Sequence, residues 1–345
     1  MPEAHPAAPG LLHWGILGTG NIAAQFAEGV AGSERCRVVS VGSRTDRTAR
    51  AFADRFDLAS TPGNYDQVLA DPAVQAVYVS LPNSMHHEWT LRALRAGKHV
   101  LCEKPIATSV AQAREMFDAA REEGLVLVEA FMYRSHPQTR AVLEHIHAGT
   151  IGTVKLIKAS FCFRTRKPEA NIRFRRDLGG GALLDVGCYC VDFSRLMIRE
   201  EPASVHVTAH VHESGVDDLA AGTLTFPSGA VASFTCGMMV HTDNSAFVCG
   251  DEGYIHVPVP WKPPVRGATH TVARMMPPKM DGALKAPGPQ RTTHSVDAAR
   301  PLYALEADDF AAAVQDGAAP AVSRDDSLAT MRVLEELRRQ AGVFS

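Results

Sequence analysis

The 345-residue chain contains no run of the roughly 18 to 20 apolar residues that a membrane-spanning helix needs. It has no basic excess either, since 35 Lys and Arg against 38 Asp and Glu leave a formal net charge of −3. Such a balance offers no positive field to a phosphate backbone or an anionic bilayer, so neither nucleic acid nor membrane is an expected partner. The first residues, MPEAHPAAPG, lack the basic and apolar regions of a signal peptide. Residues 1–12 therefore read as a short disordered tail on a cytoplasmic protein. The seven cysteines are odd in number and scattered through apolar stretches, and the pair Cys188 and Cys190 lacks the C-x-x-C spacing of redox or zinc sites. They are expected as reduced core residues. No internal repeat or low-complexity tract is present.

The length exceeds the ceiling of about 250 to 300 residues for a single hydrophobic core, so two domains are expected. From Leu12 to Met132 short apolar strands alternate with amphipathic segments, as a parallel sheet with crossover helices requires. The strands read are His13–Gly18, Arg37–Ser43, Ala76–Leu81, His99–Glu103 and Leu125–Met132, with helices at Asn21–Ala31, Asp46–Phe56, Met85–Ala96 and Ser109–Glu123. Asp46 and Ser109 fit N-caps, and Gly97 and Gly124 fit C-terminal stops. This order describes a doubly wound nucleotide-binding domain over 13–132.

Beyond a further helix at His136–Gly149 the pattern changes. Strand-like segments at Val154–Arg164, Ser204–Glu213, Leu219–Phe226, Ala230–Met239 and Ala246–Val257 are separated by short turn sequences, which imply a mostly antiparallel sheet. One helix, Ala182–Ile198, interrupts them behind Gly179-Gly180-Gly181, and two more, Tyr303–Gln315 and Ser323–Ala341, close the chain. The stretch Pro258–Pro289 is rich in Pro, Gly and Lys, shows neither period and is expected to be irregular. The fold class is thus α/β, a Rossmann domain followed by a second α/β domain over 133–345.

Gly18-Thr19-Gly20-Asn21-Ile22-Ala23 matches the G-x-G-x-x-G/A fingerprint between a strand and a helix. Gly18 permits the tight turn, Gly20 lets backbone approach a pyrophosphate, and the helix N-terminus receives the anion. At the end of the second strand, where an acid would accept from the ribose 2′-OH of NAD, stand Ser43 and Arg44. A guanidinium suits a 2′-phosphate, so NADP is the expected cofactor and NAD the alternative, with Arg44 stacked on the adenine as the competing role.

Hydride removal from a secondary alcohol needs a proton acceptor besides the cofactor. Two segments supply candidates: Cys102-Glu103-Lys104-Pro105, at the carboxyl end of a parallel strand, and the helix carrying Asp185 and Tyr189 four residues apart. Leu81, Pro82, Asn83 and His86, after the strand at Ala76–Leu81, fall where a cofactor would pass, although Asn83 or Ser84 could instead cap a helix. Arg134, His136, Asn171 and Arg173 are candidates for a polar substrate pocket. His206, His210 and His212 share one strand face, but without a fourth ligand they read as a solvated or interface face, and no metal is expected in the reaction.

The motifs E-K-P from Glu103 and G-G-G-x-L-x-D-x-G-x-Y from Gly179 resemble those of the glucose-fructose oxidoreductase/inositol dehydrogenase family. The likeness extends to P-N-S-M-H-H from Pro82, E-A-F-M-Y-R-S-H-P from Glu129, N-I-R-F from Asn171 and H-E-S-G-V-D-D from His212. It is strongest toward the dimeric dihydrodiol dehydrogenase and NADP-dependent D-xylose dehydrogenase branch, since inositol-type members carry His in place of Tyr189. The resemblance implies a Rossmann domain, a large open sheet serving homo-oligomer formation, and hydride transfer between them. It also implies Lys104, Asp185 and Tyr189 as the catalytic group, with Lys104 expected to draw Tyr189 toward phenolate. A nucleotide-sensing regulator and an NAD-dependent glycosidase are the alternatives that share the fold.

Overall fold

The computed structural model describes residues 10–58, 63–275 and 288–344. Five strands form a wholly parallel sheet in the order β2-β1-β3-β4-β5: β1 (Leu12–Leu17), β2 (Cys36–Gly42), β3 (Ala76–Val79), β4 (His99–Glu103) and β5 (Leu127–Ala130). Each follows an apolar run, and Ile16, Leu17, Val77 and Val79 are fully buried, each stabilising the sheet by about 1.5–3 kcal/mol. The helices between them are α1 (Asn21–Val30), α2 (Asp46–Arg55), α3 (Tyr65–Ala70), α4 (Asn83–Arg95) and α5 (Val110–Glu122). Thr45, rather than Asp46, caps α2, and Ser109 caps α5 as expected. β2 and β3 flank β1 on opposite sides, so the chain reverses direction there and leaves a crevice at the carboxyl ends of β1 and β3.

Helix α6 (Pro137–His147) leads into an eight-stranded sheet of order β13-β12-β11-β10-β6-β9-β8-β7. Its strands are β6 (Val154–Cys162), β7 (Ser204–Val211), β8 (Asp217–Thr225), β9 (Val231–Gly237), β10 (Ala246–Gly250), β11 (Gly253–Val257), β12 (Ala268–Arg274) and β13 (Gln290–Val296). All neighbours are antiparallel except β6 and β9, whose pairing is parallel. One face packs on α7 (Cys188–Ile198) and α9 (Arg324–Gln340). Residues alternating to the other face, among them Lys158, Ser233, Thr235 and Phe247, are half-buried or exposed.

One reading of the sequence needs correction. The stretch Pro258–Pro289 is not irregular throughout, because β12 lies within it; residues 276–287 fall outside the described residues, as do the first nine of the expected tail. Helix α8 (Leu302–Gln315) returns to the first sheet, where Phe310 meets Trp14 at 4.8 Å between ring centroids and Tyr303 packs against Gly29 of α1. The parallel sheet needs apolar cover on both faces, and the end of the chain supplies part of it.

Candidate active site

Gly18 turns the chain out of β1 at φ +111°, and a Cβ there would sit 2.9 Å from the carbonyl oxygen of Ser80 on the next strand. Only glycine allows that approach. Gly20 is the N-cap residue of α1; no side chain caps the helix, and nothing lies within 4 Å of where its Cβ would be. Open space in front of uncapped amide groups is what a pyrophosphate requires, so the loop fits a dinucleotide. Behind it, Ser43 is buried, with its hydroxyl 3.1 Å from Thr19 Oγ1 and 2.7 Å from Thr48 Oγ1. Arg44 is exposed and takes part in none of the ion pairs among the described residues.

The crevice opens into a cavity of about 540 Å³ between the two sheets. Gly20, Asn21 and Ile22 line one end, Leu81, Pro82, Asn83 and His86 one wall, and Glu103, Lys104, Arg173, Asp185 and Tyr189 the other end. The ordering of charge there follows from short contacts. Lys104, at the end of β4, donates through Nζ to the backbone oxygen of Asp185 at 2.7 Å and lies 3.5 Å from its Oδ1. Arg173 Nε donates to Asp185 Oδ2 at 2.6 Å. Burial opposes ionisation of Asp185, but the Lys104 ammonium and the Arg173 guanidinium outweigh it and hold the carboxyl below its ordinary range. Lys104 Nζ also stands 5.1 Å from the centroid of the Tyr189 ring.

The residues around this cluster hold it in place. Asp185 lies in a single π-helical turn, Leu183–Gly187, that runs into α7, and Asp217 anchors the turn by accepting from Leu183 N at 2.6 Å. Asn83 does not cap a helix: its Nδ2 donates to Gly179 O at 2.8 Å and ties the cofactor-side wall to the glycine loop before Asp185. His86 is fully buried between the carbonyl oxygens of Leu81 and Pro105, each 2.9 Å from a ring nitrogen. Burial lowers its pKa to about 4, so the neutral ring donates to one of the two carbonyls and packs against the other, between the segments that carry Leu81 and Lys104.

Three expectations are not met. Arg134 does not line the cavity; its guanidinium turns inward, 3.6 Å from Asp192 Oδ1 and donating to Asp326 Oδ2 at 2.8 Å. His136 is fully buried and accepts from Gln138 N as the cap of α6. Tyr189, far from being drawn toward phenolate, has its pKa held well above the ordinary value by burial, with Glu103, Tyr303, Cys188 and Asp185 acting in the same sense. Its hydroxyl meets Met132 Sδ at 3.4 Å, and Lys104 Nζ donates to the backbone oxygen of Asp185. Asn171 lies beside the cavity, in a shallow depression that shares Phe163 and Ile172 with it, and accepts from Arg173 N. The histidines 206, 210 and 212 do not converge: exposed His210 of β7 pairs with Asp218, and half-buried His212, just past β7, contacts Ser214.

Sequence reasoning missed Lys262, which enters the cavity from beyond β11 and donates to Gln25 Oε1 of α1 at 3.1 Å. It sits in a stretch without periodicity, so nothing local marks it. Phe161 and Phe163, at the end of β6, were hidden among ordinary alternating strand residues.

Comparison with known proteins accords with this geometry. Residues 12–131 match the model of an oxidoreductase family with an NAD-binding Rossmann fold, and residues 139–256 match the GFO/IDH/MocA C-terminal domain. The chain belongs to the Gfo/Idh/MocA oxidoreductase family. Within it, the chain is 31% identical to D-xylose 1-dehydrogenase (NADP(+)) 2 of Haloferax volcanii, over 95% of this chain and 97% of that one. It is 35% identical to trans-1,2-dihydrobenzene-1,2-diol dehydrogenase of Mus musculus, over 73% and 76%. Among solved structures it is similar to KijD10, a 3-ketoreductase from Actinomadura kijaniata in complex with NADP and TDP-benzene, with 31% identity, a TM-score of 0.83 and coverage of 96% and 98%. As a Gfo/Idh/MocA protein with dehydrogenase relatives over most of its length, it is an oxidoreductase acting on CH–OH groups.

Proposed function

We propose that the protein transfers a hydride between NADP(H) and a secondary hydroxyl of an aldose or polyol of the D-xylose or D-glucose type, reversibly. The observation that carries this reading is the convergence of Lys104, Asp185, Arg173 and Tyr189 at one end of a cavity whose other end is the glycine loop. The bound dinucleotide would supply the hydride acceptor, held by Gly18 to Ile22 with Leu81 to Asn83 along its nicotinamide half. Tyr189 and Lys104 then meet the substrate oxygen. Burial lowers the tendency of Lys104 to stay charged, but Asp185, Cys188 and Glu103 more than offset it, and its pKa is raised. Both groups are therefore acids in the free protein. They are ready to protonate the oxygen of a ketone during reduction, and Tyr189 must give up its proton before it can accept one during oxidation.

The cofactor choice rests on exposed Arg44 and on Ser43, which stands where an acid would hold a 2′-OH. The NADP named for the Haloferax and Actinomadura relatives supports it. A diol of the dihydrobenzene type is the second candidate substrate, favoured by the aromatic wall of Phe161 and Phe163. The seven free thiols suit a reducing compartment such as the cytoplasm. The half-buried second face of the large sheet suits a homodimer. Activity is tested by offering sugars, polyols and aromatic diols with NADP⁺ and NAD⁺ and following the absorbance of the reduced nicotinamide.

A further inference from the structure

A second constellation lies at the far edge of the large sheet, four strands away from β6 and its cavity residues. His270 on β12 and His294 on β13 are directly opposed cross-strand partners, stacked with ring centroids 5.0 Å apart and an interplanar angle of 12°. His145, in the last turn of α6, covers the pair at 5.2 Å from His270 and 4.8 Å from His294. One ring nitrogen from each residue lies within 4.8 Å of the other two.

The arrangement is costly as it stands. His270 is 1% exposed, and neither of its ring nitrogens has a hydrogen-bond partner. A buried polar group left unpaired loses its hydration without compensation, and native interiors rarely tolerate that. A cation accepting the free lone pair would relieve it. The donor set selects the class of ion: all three donors are imidazoles and no carboxylate among the described residues joins them, which disfavours the hard, oxygen-seeking Ca²⁺ and Mg²⁺ and suits zinc-like transition metals. The nitrogens lie close enough for modest side-chain rotation to bring them to the roughly 2.0–2.1 Å of a metal–imidazole bond. Thr150 Oγ1, 3.5 Å from His145 Nδ1, stands where an outer hydrogen bond would orient that ring.

We propose that His145, His270 and His294 bind one divalent transition-metal ion of the zinc class, which staples the outermost strand β13 to β12 and α6. The site is independent of hydride transfer, and its fourth position is left to water.

The test uses the full-length protein stripped of metal with a chelator and titrated with Co²⁺ and with Zn²⁺. Wild type is expected to bind one ion per chain at micromolar concentration or below, with the intense visible spectrum of nitrogen-ligated tetrahedral Co²⁺. His145→Gln and His294→Gln, both at half-exposed positions that should leave the fold intact by circular dichroism, are each expected to weaken binding at least ~10-fold. His206→Gln, on the exposed face of β7, should change nothing. Zn²⁺ should raise the Tm of wild type and not that of the double variant. Undiminished Co²⁺ binding in the double variant, or no binding by wild type at millimolar Co²⁺, would overturn the proposal.

Discussion

Lys104 and Tyr189 divide the proton work according to their surroundings. With Asp185 holding the ammonium and burial holding the phenol protonated, reduction of a carbonyl should proceed well near neutral pH, while oxidation should accelerate as the pH rises toward the tyrosine's raised pKa. Paired pH profiles of kcat in the two directions check this; an oxidation rate flat across the alkaline range would refute it. Tyr189→Phe and Lys104→Ala should each lower kcat by about 10²- to 10⁴-fold without unfolding the protein. A Phe variant with near-normal turnover would remove Tyr189 from proton transfer and leave Lys104 as the group that exchanges the proton. On the cofactor side, Arg44→Ala should weaken NADP⁺ binding by about 10- to 100-fold and barely touch NAD⁺, as expected for loss of a charge-assisted hydrogen bond of roughly 1.5–3 kcal/mol. Equal losses for both would show that Arg44 stacks on adenine instead.

Glu129 extends the argument from activity to stability. Its buried carboxyl accepts from Ile106 N at 2.8 Å while Oε2 has no partner, and burial pushes its pKa up to about 8. A folded-state value above the unfolded one contributes stability that is fully present below about pH 4.5 and is lost as pH rises through about 8. The Tm should therefore fall between about pH 4.5 and pH 8, and Glu129→Gln should flatten that fall. An unchanged slope in the variant would place the pH dependence elsewhere.

Among the elements, those that announce themselves by period were legible. The five parallel strands fall within a few residues of their expected bounds because each is a short, mostly apolar run. Helix α3 was missed, since six residues are too few to show a helical period, although Asn64 and Gln67 form a capping box at its start. Strand β12 was missed because its inward positions read Ala268, His270, Val272, and a histidine in the middle breaks the apolar alternation. The glycine run 179–181 was legible as a loop but not in its purpose. A Cβ at Gly180 would lie 2.3 Å from Arg173 O, and one at Gly181, where φ is +119°, 2.3 Å from Asp217 Oδ1. Gly181→Ala should consequently displace the turn bearing Asp185, lowering both Tm and kcat. A variant with unaltered kcat would show that the turn does not set the catalytic geometry.

At the scale of the molecule, the motifs marked the glycine loop after β1 and three residues that the structure brings together, Lys104, Asp185 and Tyr189, but not the partners that reach the cavity by tertiary folding. Lys262 arrives from an aperiodic stretch, and Arg134 and His136, polar and near the motif, turn inward to satisfy buried groups. The return of α8 to the first sheet was equally illegible, because its apolar face could pack on either domain. The large sheet's half-buried face predicts a homodimer at least, and a monomer by light scattering at micromolar concentration would contradict it. The central claim, that this cavity carries hydride between NADP and a sugar or diol hydroxyl, is tested most directly by mixing the purified protein with NADP⁺ and a panel of aldoses, polyols and aromatic diols. The account predicts net formation of NADPH with at least one of them, abolished in Tyr189→Phe. Tight NADP⁺ binding with no NADPH formed from any of them would contradict it and mark the protein as a sensor of the nucleotide.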